Sequence, residues 1–382
     1  MENFVMYNPV KLHFGDGVTD KAGKIAAGYG QRVLLVTGKG SAKSSGAYDQ
    51  VVARLSNAGL EVFEYSGIKS NPIIEDVEKA LKLSREKQVD MVVALGGGSV
   101  IDSGKTIALS YYHDGAAWDI VTGKHKPDKA LPVIAVLTLA ATGTEMNPVA
   151  VVQSNCEQKK IGFGNKLMYP RHSFLDPSFT MSVPKTYTAY GVVDLIAHSL
   201  EAWFGEGDAS LSDRFIVAII KEAMKYGPML LNDLENYDLR ARIMYAATSA
   251  LNGLTAYGKK SGDWGVHGIG HCLSVVYDMP HGATLSVAYP AWMKLHKNRI
   301  PERIRELGAA LFEVGSIDDT IYKLEYLFKS LDCPVTLTET GIDISKPESK
   351  EKLKNVMVKN KVDGLAHKLA PQDYDQLLNL MA

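Results

Sequence analysis

Asp194 and His198 stand four residues apart in Gly191-Val-Val-Asp194-Leu-Ile-Ala-His198, and His267 and His271 repeat that spacing in Trp264-Gly-Val-His267-Gly-Ile-Gly-His271. His281 follows in Met279-Pro-His281-Gly. On a helix, positions i and i+4 share one face, so each pair can turn both side chains toward one point. Asp194, His198, His267 and His281 then offer one carboxylate and three imidazoles. That N/O set suits a divalent transition metal and needs no thiolate. A single such pair is more often an ordinary helix-surface contact; the combination is what points to a metal.

A second chemical signal is Leu95-Gly96-Gly97-Gly98-Ser99-Val100-Ile101-Asp102-Ser103-Gly104-Lys105. It follows a strand-like run and opens a helix-like one. In that context Gly97, Gly98 and Ser99 present free N–H groups and the positive end of a helix dipole to a phosphate. The alternative is a tight turn that holds nothing. A P-loop does not fit, because five residues, not four, separate Gly98 from Gly104. Nor does Gly-x-Gly-x-x-Gly, which counted from Gly96 would need glycine where Ile101 stands. The turn is a phosphate cradle of another kind.

These groups must be positioned by two kinds of chain. Arg32–Thr37, Glu61–Tyr65, Met91–Leu95 and Val133–Leu137 read as strands. They alternate with helical patterns over Val51–Ala58, Ile74–Gln88 and Ser99–Leu109, which implies βαβ units and a mostly parallel sheet. From Tyr187 onward helical patterns dominate, over Ala189–Trp203, Ser210–Lys225, Asp238–Leu254, Ile300–Leu311 and Ser316–Ser330. The expected architecture is an α/β dinucleotide-binding domain over residues 1–182 and an all-helical, metal-binding domain over 183–382.

Composition narrows the class. A chain of 382 residues exceeds the usual single core. A formal charge of −1 gives no basic surface for nucleic acid. Only Cys156, Cys272 and Cys333 are present, an odd count that argues against a disulfide framework and for a reducing, cytoplasmic setting. The N-terminus lacks the pattern of a signal peptide, and the apolar runs are too short for a bilayer. No membrane or nucleic-acid partner is expected.

The glycine turn with Asp102, the run Ala141-Thr142-Gly143-Thr144-Glu145 and the Asp194/His198/His267/His281 set together resemble the iron-containing (group III) alcohol dehydrogenases. The resemblance spans nearly the whole chain and is strongest to the NADPH-dependent butanol dehydrogenases and broad-range aldehyde reductases. It implies an N-terminal dinucleotide-binding domain, a C-terminal helical domain, and metal and substrate held in the cleft between them. It implies Asp194, His198, His267 and His281 as metal ligands. His271 matches a non-ligand histidine near the nicotinamide, a catalytic candidate for proton handling; its other reading is packing one turn after His267. The resemblance also implies cofactor contacts from Gly97, Gly98, Ser99, Asp102, Thr138, Thr142 and Lys160, and assembly as a homodimer.

The loop Gly38-Lys39-Gly40-Ser41-Ala42-Lys43 follows the strand that should end near the adenine ribose. NAD users commonly place an acid there for the 2′-hydroxyl. This loop has none, and Ser41 and Lys43, with Lys39 nearby, suit a 2′-phosphate, so NADP(H) is expected, with Gly38 a further cofactor contact. The inferred reaction is reversible hydride transfer between NADP(H) and a primary alcohol or aldehyde of the butanol/butyraldehyde kind, assisted by Fe²⁺ or Zn²⁺. The alternatives are a polyol dehydrogenase like the glycerol dehydrogenases, a metal-dependent hydrolase, and a silent nucleotide sensor.

Overall fold

The computed structural model describes residues 1–382. Eight strands form: β1 (Lys11–Phe14), β2 (Arg32–Gly38), β3 (Glu61–Ile68), β4 (Met91–Gly96), β5 (Val133–Leu137), β6 (Val149–Ser154), β7 (Lys159–Gly164) and β8 (His172–Leu175). Six of them make one parallel sheet in the order β1-β8-β5-β4-β2-β3. The four expected strands are its centre and one edge. β1 and β8 extend it on the other side, with Lys11 opposite His172 and Phe14 opposite Leu175. β6 and β7 pair apart as an antiparallel hairpin.

Alternation along the central strands splits their side chains between two cores. Val33, Leu35, Met91, Val93, Ile134 and Val136 pack on one face with Ala47, Val51 and Leu55. Leu34, Val36, Val92, Ala94, Ala135 and Leu137 pack on the other with Val77, Leu81, Ile101 and Ile107. The second core includes α1 (Gly98–Ser110), the helix opened by the glycine turn.

The chain forms two compact units. The sheet unit comprises Tyr7–Pro184 and also Asp233–Asn252; the helical unit comprises Met1–Met6, Lys185–Asn232 and Gly253–Ala382. The expected single division near Val183 differs from this at Met1–Met6, grouped with the helical unit, and at the helix Tyr237–Ala250, which packs in the sheet unit. Met244 joins the apolar layer over the sheet, Thr248 donates to Glu145, and the Arg240 guanidinium donates to the Val183 carbonyl.

The helical unit carries no strand. Its helices bearing the candidate site are α2 (Lys185–Trp203), α3 (Gly265–Tyr277) and α4 (His281–His296). α4 was not legible as a helix because it is buried almost all round and has no polar face to give a period. No helix is long and apolar enough to cross a membrane.

At the end of α4, His296 is 1% exposed, and neither ring nitrogen has a hydrogen-bond partner in the protein. Its ring lies against Trp292, with centroids 4.4 Å apart. Burial pushes its pKa down to about 4. The unfolded chain therefore binds a proton that the folded chain excludes, and stability present above the ordinary histidine pKa is lost as pH falls toward 4. We predict a loss approaching about 3 kcal/mol across that window, at about 1.4 kcal/mol per pKa unit. Urea denaturation at pH steps should show the slope in the native chain and a reduced slope in His296→Leu. Equal slopes in the two would refute the assignment.

Candidate metal centre and cofactor turn

α2 presents Asp194, His198 and Glu201 at i, i+4 and i+7, along one helix face. α3 brings His267, and α4 begins at His281. Gly282 lets that helix start close to α2, because a Cβ there would stand 2.3 Å from the Tyr190 carbonyl oxygen.

The ligand atoms of Asp194, His267 and His281 all lie within 4.8 Å of one another. His267 Nε2 is 3.8 Å and His281 Nε2 3.7 Å from Asp194 Oδ1. His198 falls outside that three-residue group, but its Nδ1 is 3.5 Å from the same oxygen and its ring stacks on His267 with centroids 4.7 Å apart. Asp194 and His198 are 2% and 5% exposed. Yet Asp194 Oδ1, His198 Nδ1 and His267 Nε2 have no hydrogen-bond partner in the protein. Buried polar atoms are ordinarily satisfied. Lone pairs converging on one buried point, from one carboxylate and imidazoles, fit a divalent cation.

The electrostatics agree. Burial alone would raise Asp194, but the His198, His281 and His267 rings outweigh it and hold the carboxyl well below its usual range. Burial pushes His198 down to about 4, with Asp194 offsetting only part of that. Burial also opposes charge on His267, yet Asp194 and Glu201 raise it to about 9. The centre thus favours positive charge between Asp194 and His267, which a cation can supply in place of a proton.

Sequence reasoning missed Glu201. Its Oε1 lies 2.7 Å from His267 Nδ1 and accepts the His267 backbone N–H at 3.0 Å, while Oε2 accepts the Trp264 N–H. The signal was available as the seventh residue after Asp194. Trp264 is left-handed at φ 64°, and its ring lies 5.4 Å from that of His267. His271, partly buried, sits with its ring 5.7 Å from His281.

In the sheet unit, β2 and β4 are neighbours, and the chain reverses its direction of travel across the sheet between them. Ligands of open α/β sheets bind at the carboxyl ends of strands at such a point. Both expected loops emerge there, Gly38–Lys43 after β2 and Gly96–Ser99 after β4. Val100 and Ile101 donate to the Gly97 carbonyl, so the amides of Gly98 and Ser99 precede the helical ladder. A Cβ on Gly98 would stand 2.6 Å from Thr142 Oγ1, so the turn and Thr142 pack too closely for any side chain. The Thr138 N–H donates to the Gly96 carbonyl. Ser99 donates to the Ser70 carbonyl, and the next residue, Asn71, accepts from Lys160 Nζ at 2.9 Å. Gly97, Gly98, Ser99, Thr138, Thr142 and Lys160 are therefore gathered at one sheet end.

The structure adds two details to the sequence reading. Both Asp102 oxygens point into the protein, one accepting from Thr144 Oγ1 at 2.6 Å and the other from the Val151 N–H at 2.9 Å. The Gly38–Lys43 loop has no acid of its own, but Glu64 of β3 lies 3.6 Å from Lys43 Nζ and accepts from Tyr48 Oη at 2.7 Å. A register-dependent neighbour of this kind cannot be read from loop composition.

A sequence-family profile described as iron-containing alcohol dehydrogenase matches residues 9–177, and one for the C-terminal part of the same family matches 188–376. The chain is similar to a probable NADH-dependent butanol dehydrogenase 1 of Bacillus subtilis, with 42% identity over 90% of this chain and 91% of the relative. It is 35% identical to the NADPH-dependent aldehyde reductase YqhD of Escherichia coli, over 90% of each chain. The crystal structure of NADH-dependent butanol dehydrogenase A from Thermotoga maritima superposes with a TM-score of 0.96 at 37% identity, covering 100% of this chain and 99% of that one. With the buried carboxylate–imidazole cluster and the glycine turn in place, the chain belongs to the iron-containing alcohol dehydrogenase family, whose members are metal- and nicotinamide-dependent alcohol/aldehyde oxidoreductases.

Proposed function

We propose that this protein transfers hydride reversibly between NADP(H) and a primary alcohol or aldehyde of the butanol/butyraldehyde kind. The observation that carries the reading is the convergence of Asp194, His267 and His281, with His198 against them, on one buried point. A divalent cation held there, Fe²⁺ or Zn²⁺, supplies a Lewis acid for the substrate oxygen. Asp194 contributes a single negative charge, so the centre stays net positive toward an oxygen that gains charge. His271 is assigned proton handling because its ring adjoins His281 without belonging to the three-residue cluster. The Gly97–Ser99 amides bind the pyrophosphate, and Thr138, Thr142 and Lys160 flank it. Asp102 serves by tying β6 and Thr144 to the turn helix.

Lys43 and Ser41 are assigned the 2′-phosphate. The names of the relatives divide between NADH and NADPH, and Glu64 competes for Lys43. However, the Lys43–Glu64 pair is solvent-exposed, and such pairs contribute only about 0–1 kcal/mol. A doubly charged phosphate outbids it. We assign a cytoplasmic location from the free cysteines and a homodimer from the open edge of β1.

The test is oxidation of NADPH and NADH with butyraldehyde, before and after chelation and re-addition of Fe²⁺ or Zn²⁺. NADPH should be preferred, chelation should abolish turnover, and the cation should restore it. Lys43→Ala should raise KM for NADPH about tenfold, as loss of a charged hydrogen bond does, and leave that for NADH unchanged. Preference for NADH would overturn the cofactor assignment, and absence of turnover with metal-loaded protein the reaction. Light scattering on the same sample should give twice the chain mass.

A further inference from the structure

We propose that Glu201 is the positioning residue of the metal centre: its carboxylate fixes the His267 ring so that Nε2 faces Asp194 and His281. The inference rests on the metal-binding reading given above and assigns a role to a residue outside the ligand set. Glu201 is 1% exposed. Its Oε1 is 2.7 Å from His267 Nδ1 and also accepts the His267 backbone N–H, while Oε2 accepts the N–H of Trp264. An ionised carboxylate only accepts hydrogen bonds, so the facing ring nitrogen must carry the proton. With a cation in place of a second proton, the proton on Nδ1 leaves the lone pair on Nε2, the nitrogen 3.8 Å from Asp194 Oδ1. One tautomer and one ring orientation are thereby selected.

The same carboxylate joins two helices. Asp194 and Glu201 lie two turns apart on α2, so the helix that supplies the carboxylate ligand also orients a ring from α3. The backbone bonds to Trp264 and His267 hold the first turn of α3 at the distance the ring contact requires. A glutamine has the right shape but the wrong polarity. Its amide can accept from His267 Nδ1 or from Trp264, and the NH₂ then faces whichever donor remains.

The competing role is purely structural, with Glu201 capping α3 and nothing more. Two measurements separate the roles. The first is Zn²⁺ affinity, by competition with a chromogenic chelator, for the native chain and Glu201→Gln. The second is the ¹⁵N spectrum of the histidine rings, with His267 assigned by its disappearance in His267→Gln. We expect Glu201→Gln to bind Zn²⁺ about 10–100-fold more weakly, the usual range for losing the partner of a ligating histidine. In the Zn²⁺-loaded chain, His267 should also lose its single Nδ1–H tautomer. Unchanged affinity and an unchanged ring spectrum, with only lowered thermal stability, would overturn the proposal. If Glu201→Gln fails to fold, Glu201→Asp keeps the charge at shorter reach, and the same two readouts decide. Should the native chain itself show no Zn²⁺ binding that His281→Ala weakens, the metal-binding reading fails instead, a result distinct from the failure of Glu201.

Discussion

Asp194→Asn is expected to fold and to turn over butyraldehyde about a thousandfold more slowly than the native chain. Lewis-acid stabilisation is worth several kcal/mol, and each 1.4 kcal/mol is a factor of ten. Asp194 is the only carboxylate in the three-residue cluster, and its Oδ1 faces His198, His267 and His281 at 3.5, 3.8 and 3.7 Å. Asparagine removes the charge that draws a cation to this point and can turn an NH₂ toward three lone pairs. The loss should appear in kcat and in retained metal after dialysis against a chelator, while KM for NADPH should hold, because the loops proposed for the nucleotide lie in the other unit. Activity within about tenfold of native in a variant that keeps its metal would contradict the assignment of Asp194 as a ligand.

Lys105→Met should lower stability by about 3–5 kcal/mol, the cost of leaving a buried charge without its partner. That is a large share of the roughly 5–15 kcal/mol that holds a typical chain folded. Lys105 is fully buried on α1. Its ammonium donates to the Thr144 carbonyl, to Thr144 Oγ1 at 2.7 Å, to the Asn147 carbonyl at 2.8 Å and to that of Val149 at 2.9 Å. Asp102, one turn earlier, accepts from the same Thr144 hydroxyl. The pair forms a strut between the glycine-turn helix and the segment entering β6. Methionine keeps the stem and removes every donor, leaving the Asp102 charge and the carbonyls unmatched. Urea denaturation should register the loss, and KM for the nicotinamide should rise as Thr142 loosens against Gly98. A stability change below 1 kcal/mol would show that the strut does not bear on folding.

The parts of this molecule legible in its sequence are those governed by short-range periodicity. The central strands are apolar runs bounded by turn residues. The i, i+4 spacing of Asp194 and His198 pointed to one shared helix face, and both side chains do lie beside His267. What escaped depends on contacts between distant segments. Lys105 looked like part of a failed P-loop, and its partners lie some forty residues on. Glu64 meets Lys43 only because β3 pairs with β2. Glu201 was within reach of the same helical argument as His198, but its partner ring comes from α3. The hairpin of β6 and β7 lacked strong turn residues, and α4, with Pro290 inside it, lacked a polar face.

The helix Tyr237–Ala250 belongs to the sheet unit although the helical unit's Lys185–Asn232 precedes it in the chain. A ribosome therefore finishes the sheet long before it delivers the helix that carries Met244 and Thr248 to it. Until then the apolar layer that receives Met244 stays uncovered, and Glu145 waits for its hydroxyl partner. Neither unit can be released as an autonomous fragment by one cut near residue 184. Recombination with a relative at that junction would yield a sheet lacking its last helix and a helical body carrying an orphan. Grafts between members of this architecture need breakpoints at both ends of residues 233–252 as well.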